Sequence, residues 1–102
     1  MKLKSLTNSF KDLGFTLYIP KKREGEKHNF HHAYVRDLSK STSLIVEGSR
    51  KKGYSTYRFS FYKSTYVDNG VKINEQVYLE NASPSEVLKE VRSYVSFIER
   101  SS

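Results

Sequence analysis

The sequence contains no cysteine and no apolar run long enough to cross a membrane. The absence of cysteine excludes disulfides, thiolate metal sites and cysteine nucleophiles, and it fits an intracellular compartment. The basic first ten residues carry spaced rather than continuous apolar side chains, so no signal peptide is predicted. We therefore expect a cytoplasmic protein without a membrane partner, whose core is held together by packing alone.

Motifs of catalysis are also missing. No serine lies in a nucleophile-elbow sequence, no glycine-rich phosphate loop is present, and acidic residues are scattered singly. Of the three histidines, His28, His31 and His32, the last two would point to opposite faces of a strand, so they could share a metal only on an irregular backbone. An endonuclease with Tyr94 as nucleophile would need a His-hydrophobic-His spacing that is absent. We predict no enzyme, no metal and no cofactor.

The size and composition of the chain predict one folded domain over residues 1–102. Hydrophobic residues make up 36% and aromatic residues 14% of the 102 positions, which supplies enough buried area for a modest core although 28% of residues are charged. No internal repeat, low-complexity tract or long linker divides the chain. We expect a single unit.

Apolar residues at three- and four-residue steps predict a helix at each end of the chain. The N-terminal stripe consists of Leu3, Leu6, Phe10 and Leu13. Gly14 is placed to end this helix. In the C-terminal segment Ser83 can act as the cap, Pro84 suits the first turn, and Glu86 completes a capping box. The C-terminal stripe consists of Val87, Leu88, Val91, Tyr94, Val95 and Ile98.

Five segments between the helices have the composition and alternation of strands. They lie at about 15–19, 30–38, 43–48, 54–67 and 71–79. The fourth has the clearest period of two, with Tyr57, Phe59 and Phe61 on one face and Arg58, Ser60 and Tyr62 on the other. We predict an α+β fold, in which an antiparallel, meander-like sheet of about five strands is flanked by an N-terminal and a C-terminal amphipathic helix.

The connections between these segments carry turn signals. Residues 48–53, GSRKKG, are typical of a turn, and Asp68, Asn69 and Gly70 predict a tight hairpin because Asn-Gly tolerates positive φ angles. Glu75 interrupts the apolar face of the fifth strand, which indicates a bulge or an edge there.

The net charge of +7 lies wholly in the first half of the chain. Residues 1–53 contain 12 Lys or Arg against 5 Asp or Glu, whereas residues 54–102 contain 6 of each. In a meander, the loops after the first and the third strand lie at the same end of the sheet. Those loops hold Lys21, Lys22, Arg23, Lys27 and His28, and Arg50, Lys51 and Lys52. We expect these cationic groups to converge and to attract a polyanion.

The sheet offers a second candidate surface. If Phe59 and Phe61 face the helices, the residues that alternate with them face outward. This set is Tyr18, Arg58, Tyr62 and Tyr78. Rings and a guanidinium on one face are suited to stacking unpaired bases, although tyrosine is also simply a good strand residue.

These patterns favour a small basic accessory protein that binds DNA or RNA with little sequence specificity. The residues predicted to carry the binding are Lys21, Lys22, Arg23, Lys27, Arg50, Lys51, Lys52, Arg58 and Tyr62. The alternative is a protein-interaction module, an inhibitor or adaptor that engages an acidic partner surface, such as that of a nucleic-acid enzyme, through the same cationic end or an open sheet edge. A homodimer is a further option for covering an edge or the tyrosine face.

Overall fold

A computed structural model describes residues 3–19, 29–51, 56–67 and 71–101, without the side chains of residues 3, 29, 30 and 51. The elements are α1 (Leu3–Asp12), β1 (Thr16–Tyr18), β2 (Asn29–Asp37), β3 (Thr42–Lys51), β4 (Arg58–Tyr66), β5 (Lys72–Ala82) and α2 (Pro84–Ser101). The strands form one antiparallel sheet in the order β1-β2-β3-β4-β5. The predicted α+β meander flanked by two terminal helices is confirmed.

Both helices end or begin at the residues that the sequence indicated. Gly14 follows α1 with a φ of 88°, a left-handed conformation that glycine adopts without a steric penalty. At the start of α2 the Ser83 hydroxyl accepts a hydrogen bond from the Glu86 amide at 3.2 Å, and the Glu86 carboxylate accepts one from the Ser83 amide at 3.1 Å. This reciprocal capping box satisfies amide groups that the helix itself leaves unpaired.

The two helices lie on one face of the sheet, and the core fills the space between the helices and the sheet. The core residues are Leu6, Phe10, Phe15, Tyr34, Leu44, Val46, Phe59, Phe61, Ala82, Val87, Leu88, Val91 and Val95. Phe10 of α1 stacks on Tyr34 of β2 at 4.6 Å between ring centroids. Phe61 of β4 meets Tyr94 of α2 edge-on at 5.7 Å. These contacts fix each helix to the sheet. On the opposite face, called the open face below, the described ranges place no helix.

β3 is longer than the sequence pattern indicated. The predicted turn at 48–53 was wrong in its first four residues, because β3 continues through Lys51. Gly48 pairs with His32 on one side and with Phe59 on the other. A Cβ at Gly48 would lie 2.5 Å from Phe59 Cε1 and 2.6 Å from His32 Cε1, so glycine is needed for packing here. Gly48, which the sequence pattern assigned to a turn, instead leaves room for the rings of His32 and Phe59 to meet over β3.

β5 is an edge strand with irregular pairing. Its register against β4 shifts between Phe59 and Phe61, between Phe61 and Tyr62, and between Thr65 and Tyr66. Glu75 lies in a regular stretch instead, opposite Ser64. The edge that Glu75 indicated is therefore present, but the bulges lie elsewhere.

None of the helices in the described ranges combines the length and the apolarity that crossing a bilayer requires.

Candidate nucleic-acid interface

The two basic loops connect to neighbouring strand ends. Asn29, the first residue of β2, pairs with Lys51, the last residue of β3. The connection that leads into β2 and the connection that leaves β3 therefore meet the sheet side by side. We call this end of the sheet, formed by the start of β2, the end of β3 and the start of β4, the basic end.

Only part of the predicted site falls within the described residues. Lys21, Lys22, Arg23, Lys27 and Lys52 lie outside them, and for Lys51 only the backbone position is described. Arg50 and Arg58 are described at the basic end, and Tyr62 is described in the middle of β4.

Arg50 lies against an aromatic ring at the basic end. Its guanidinium carbon is 5.5 Å from the centroid of the Tyr57 ring. Tyr57 is half-buried, and its ring packs edge-on against His32 at 4.7 Å. A guanidinium over a ring gains about 0.5–1 kcal/mol where it is exposed to solvent. The contact places a cation beside an aromatic surface at the point where β3 leaves the sheet.

Arg58 is the first residue of β4, and its side chain lies on the opposite face of the sheet from that of Phe59. Its Nε donates a hydrogen bond to the Asn81 side-chain oxygen at 3.0 Å, and a terminal nitrogen donates to the Asn81 carbonyl. These bonds use two of the five N–H donors of a guanidinium. Arg58 is exposed, so its remaining donors can meet an anion.

Tyr62 lies away from the basic end and is engaged within the sheet. It is four residues from Arg58 along β4, which is about 13 Å. Its hydroxyl donates to the Glu47 carboxylate, and the Lys72 ammonium lies 5.4 Å from its ring centroid. Burial raises the pKa of Tyr62 far above its usual value of 10, and the hydrogen bond to Glu47 raises it further. With only 7% of Tyr62 exposed, little ring surface remains for stacking.

The predicted outward set of tyrosines does not form one surface. Phe61 is opposite Leu79 and Tyr62 is opposite Val77, so Tyr78 has no counterpart on β4. This bulge reverses the alternation, and Tyr78 packs against Tyr94 of α2 at 5.0 Å between centroids. The prediction that Tyr78 faces outward was therefore wrong. Tyr18 is exposed, but it lies on β1 at the opposite edge of the sheet.

His32 is buried among three aromatic rings at the basic end. It is 6% exposed, and the rings of Tyr34, Tyr57 and Phe59 surround it at 4.7–5.5 Å between centroids. Its Nε2 has no hydrogen-bond partner within the described part of the chain. His31 points to the other face and is exposed. No group of three metal-ligating side chains was found among the described residues.

We expect the stability of the protein to fall in mild acid because of His32. Burial lowers the pKa of His32, and the neighbouring His31 lowers it further. The unfolded chain therefore binds the proton more readily, and the free energy of unfolding decreases below about pH 6.5 by up to about 1.4 kcal/mol per pH unit, until the pH reaches the lower pKa of the folded state. Urea unfolding between about pH 7.5 and pH 5 measures this slope. The slope should flatten in His32→Phe and persist in His31→Gln, and equal slopes in all three proteins would contradict the prediction.

Two features of the basic end were missed from the sequence. Tyr57 was assigned only to the apolar face of β4, and its contact with Arg50 depends on how β3 and β4 pair. The packing of Gly48 against His32 and Phe59 also depends on that register. The sequence did carry a signal for the position of Tyr57. The alternation of Tyr57, Phe59 and Phe61 places Tyr57 on the helix side, at the very end of the sheet.

Comparison with known proteins finds a relative in Bacillus subtilis. The chain is 39% identical over 98 residues to the uncharacterized protein YddA of Bacillus subtilis strain 168, and the match covers 96% of this chain and 86% of that protein. No family model and no solved structure matches the chain.

Proposed function

This chain belongs to the family of Bacillus subtilis YddA, and we propose that it is an accessory protein that binds nucleic acid through its basic end, with little sequence specificity. The observation that carries the proposal is the pairing of Asn29 with Lys51, because it brings the connections before β2 and after β3 to the same end of the sheet. Those two connections and the last two residues of β3, Arg50 and Lys51, contain seven of the 12 Lys and Arg residues in the first half of the chain.

The distribution of charge on the described residues supports the end of the sheet rather than its open face as the contact surface. On the open face, Glu47 lies beside Tyr62, and Glu75 pairs with Lys72. Carboxylates in the middle of that face would repel phosphates. At the basic end, Arg50 and Arg58 lie on opposite faces of adjacent strands, so a phosphate backbone can be contacted from both sides of the sheet.

Charged contacts of this kind position a nucleic acid without reading its sequence. Lys and Arg side chains that meet phosphates contribute affinity to every sequence alike, because sequence is read from base edges. A ring such as Tyr57 beside Arg50 adds a surface on which an unpaired base can stack. We therefore expect binding to both DNA and RNA.

The salt dependence of binding tests the proposal. If about six cationic groups meet phosphates, the logarithm of the association constant falls with the logarithm of salt concentration with a slope of about −5, so affinity drops roughly 10³-fold between about 50 and 200 mM salt. Fluorescence anisotropy with labelled random-sequence DNA and RNA measures this slope. No binding at about 20 mM salt would refute the proposal. A stoichiometric complex with an acidic protein would then favour an inhibitor or adaptor.

A further inference from the structure

The outer edge of β5 is the most extensive unpaired feature of the described chain. β5 is 11 residues long and stands last in the sheet order, whereas β1, at the other edge, has 3 residues. Residues 72–77 of β5 are all exposed, and Ile73 and Val77 expose 60% and 45% of their surfaces. A long edge strand with apolar side chains is a template for pairing with another strand.

The helix beside this edge extends the apolar surface. Tyr78 of β5 contacts Tyr94 of α2, and Tyr94 contacts Phe97 at 6.5 Å between centroids. Phe97 lies one turn along α2 from Tyr94 and is 59% exposed. The side of α2 that borders β5 therefore presents an exposed aromatic ring next to the exposed strand edge.

We propose that a second copy of this chain covers the β5 edge, through antiparallel pairing of the two β5 strands about a twofold axis perpendicular to the sheet. The pairing joins two five-stranded sheets into one of ten strands. Because such an axis keeps corresponding faces on the same side, both α2 helices lie on one face, with their Phe97 sides towards the junction. The interface is isologous, as in most symmetric dimers.

In this arrangement the charges on one β5 strand are complementary to the charges on the β5 strand of the second copy. With Gln76 on the axis, residue 72 of one copy is opposite residue 80 of the other, so Lys72 meets Glu80 twice by symmetry. Gln76 lies within Asn74–Val77, where pairing with β4 is regular, so this part of the strand is straight enough to accept a partner.

The area of the edge is sufficient for a stable dimer. The nine residues that pair in this register, 72–80, extend about 30 Å, and a sheet layer with a helix layer is about 20 Å deep, which gives an interface on the order of 600 Å² per copy. This is about a twelfth of the accessible surface of 7254 Å². Specific interfaces bury about 800 Å² per partner.

Sedimentation equilibrium of the full chain between about 1 µM and 300 µM tests the proposal. We expect a monomer–dimer equilibrium that Ile73→Lys and Phe97→Glu each weaken at least tenfold. The matched control is Ile19→Lys, which makes the same change at a residue 74% exposed beside β1, the other edge. Circular dichroism verifies that each variant is folded. A chain that stays monomeric throughout, or a dimer that Ile19→Lys weakens as much as Ile73→Lys, overturns the proposal.

Charge exchange tests the register. Lys72→Glu and Glu80→Lys each place like charges opposite one another twice, so we expect each to weaken the dimer roughly tenfold. The double variant should return the dissociation constant to within about threefold of that of the starting protein. Opposite charges then face each other again, with their positions exchanged. Lys72 also pairs with Glu75 in its own chain, whereas Glu80→Lys leaves that pair intact. Additive weakening in the double variant would exclude this register and the dimer built on it.

Discussion

The double variant Lys51→Glu, Lys52→Glu is expected to bind random-sequence DNA roughly 100-fold more weakly than the unaltered protein at about 0.1 M salt. Each phosphate contact contributes a factor of about eight at this salt concentration, because affinity scales with salt to a power of about 0.9 per contact. Two lost contacts therefore account for roughly 60-fold, and the repulsion of phosphates by the new carboxylates adds to the loss. The slope of affinity against salt should become shallower by about two.

A matched control separates local contacts from total charge. Lys11 and Lys40 are exposed, and Lys40 lies between β2 and β3 at the opposite end of the sheet. The variant Lys11→Glu, Lys40→Glu also lowers the net charge of +7 by four. We expect it to lose less than about tenfold in affinity, since only the long-range attraction is reduced. Equal losses in the two double variants would mean that the basic end is not the contact surface.

The variant Phe61→Ala is expected to lower the free energy of unfolding by about 3–5 kcal/mol. Phe61 is fully buried in the middle of β4, and its ring packs against Tyr78 at 5.2 Å and Tyr94 at 5.7 Å. Replacing it removes the apolar contacts and leaves a cavity between the sheet and α2 that the surrounding side chains cannot fill. A domain of this size has a total stability of about 5–10 kcal/mol, so the variant should be only marginally folded. Urea unfolding followed by circular dichroism measures the loss.

The adjacent residue supplies the control for this measurement. Tyr62→Phe keeps the ring on the open face and removes only the hydroxyl that donates to Glu47. Because Glu47 is exposed, its carboxylate can bond to water instead, and we expect a loss of about 1 kcal/mol. If Tyr62→Phe were as destabilising as Phe61→Ala, the assignment of the core to the helix side of the sheet would be wrong.

The order of the elements could be predicted because each signal was local. The stripes at 3.6-residue spacing, the Ser83–Glu86 capping box and the alternation around Phe59 depend on residues a few positions apart. With short connections, neighbouring segments in the chain become neighbouring strands. The strand order then followed, and with it the expectation that the connections before β2 and after β3 share one end.

The candidate site was less predictable because its geometry depends on register. Arg50 was selected for its charge, yet its position over Tyr57 follows from how β3 pairs with β4. Tyr78 was assigned to the wrong face because a bulge, produced by pairing with β4, shifts the alternation by one residue. Gly48 resembled a turn signal because its neighbours in the sequence are turn residues. The rings of His32 and Phe59, which flank it in the sheet, are distant in the chain.

By itself, the sequence determined the α+β class, the two terminal helices, the meander and the concentration of positive charge in the first half of the chain. These properties arise from hydrophobic periodicity and composition, which act over a few residues. Only the tertiary structure decided which side chains meet across the sheet: His32 against Tyr57 and Phe59, Arg50 over Tyr57, and Tyr78 against Tyr94. Such contacts join residues distant in the chain, and a shift of one residue in strand pairing would exchange the two faces and change every one of them.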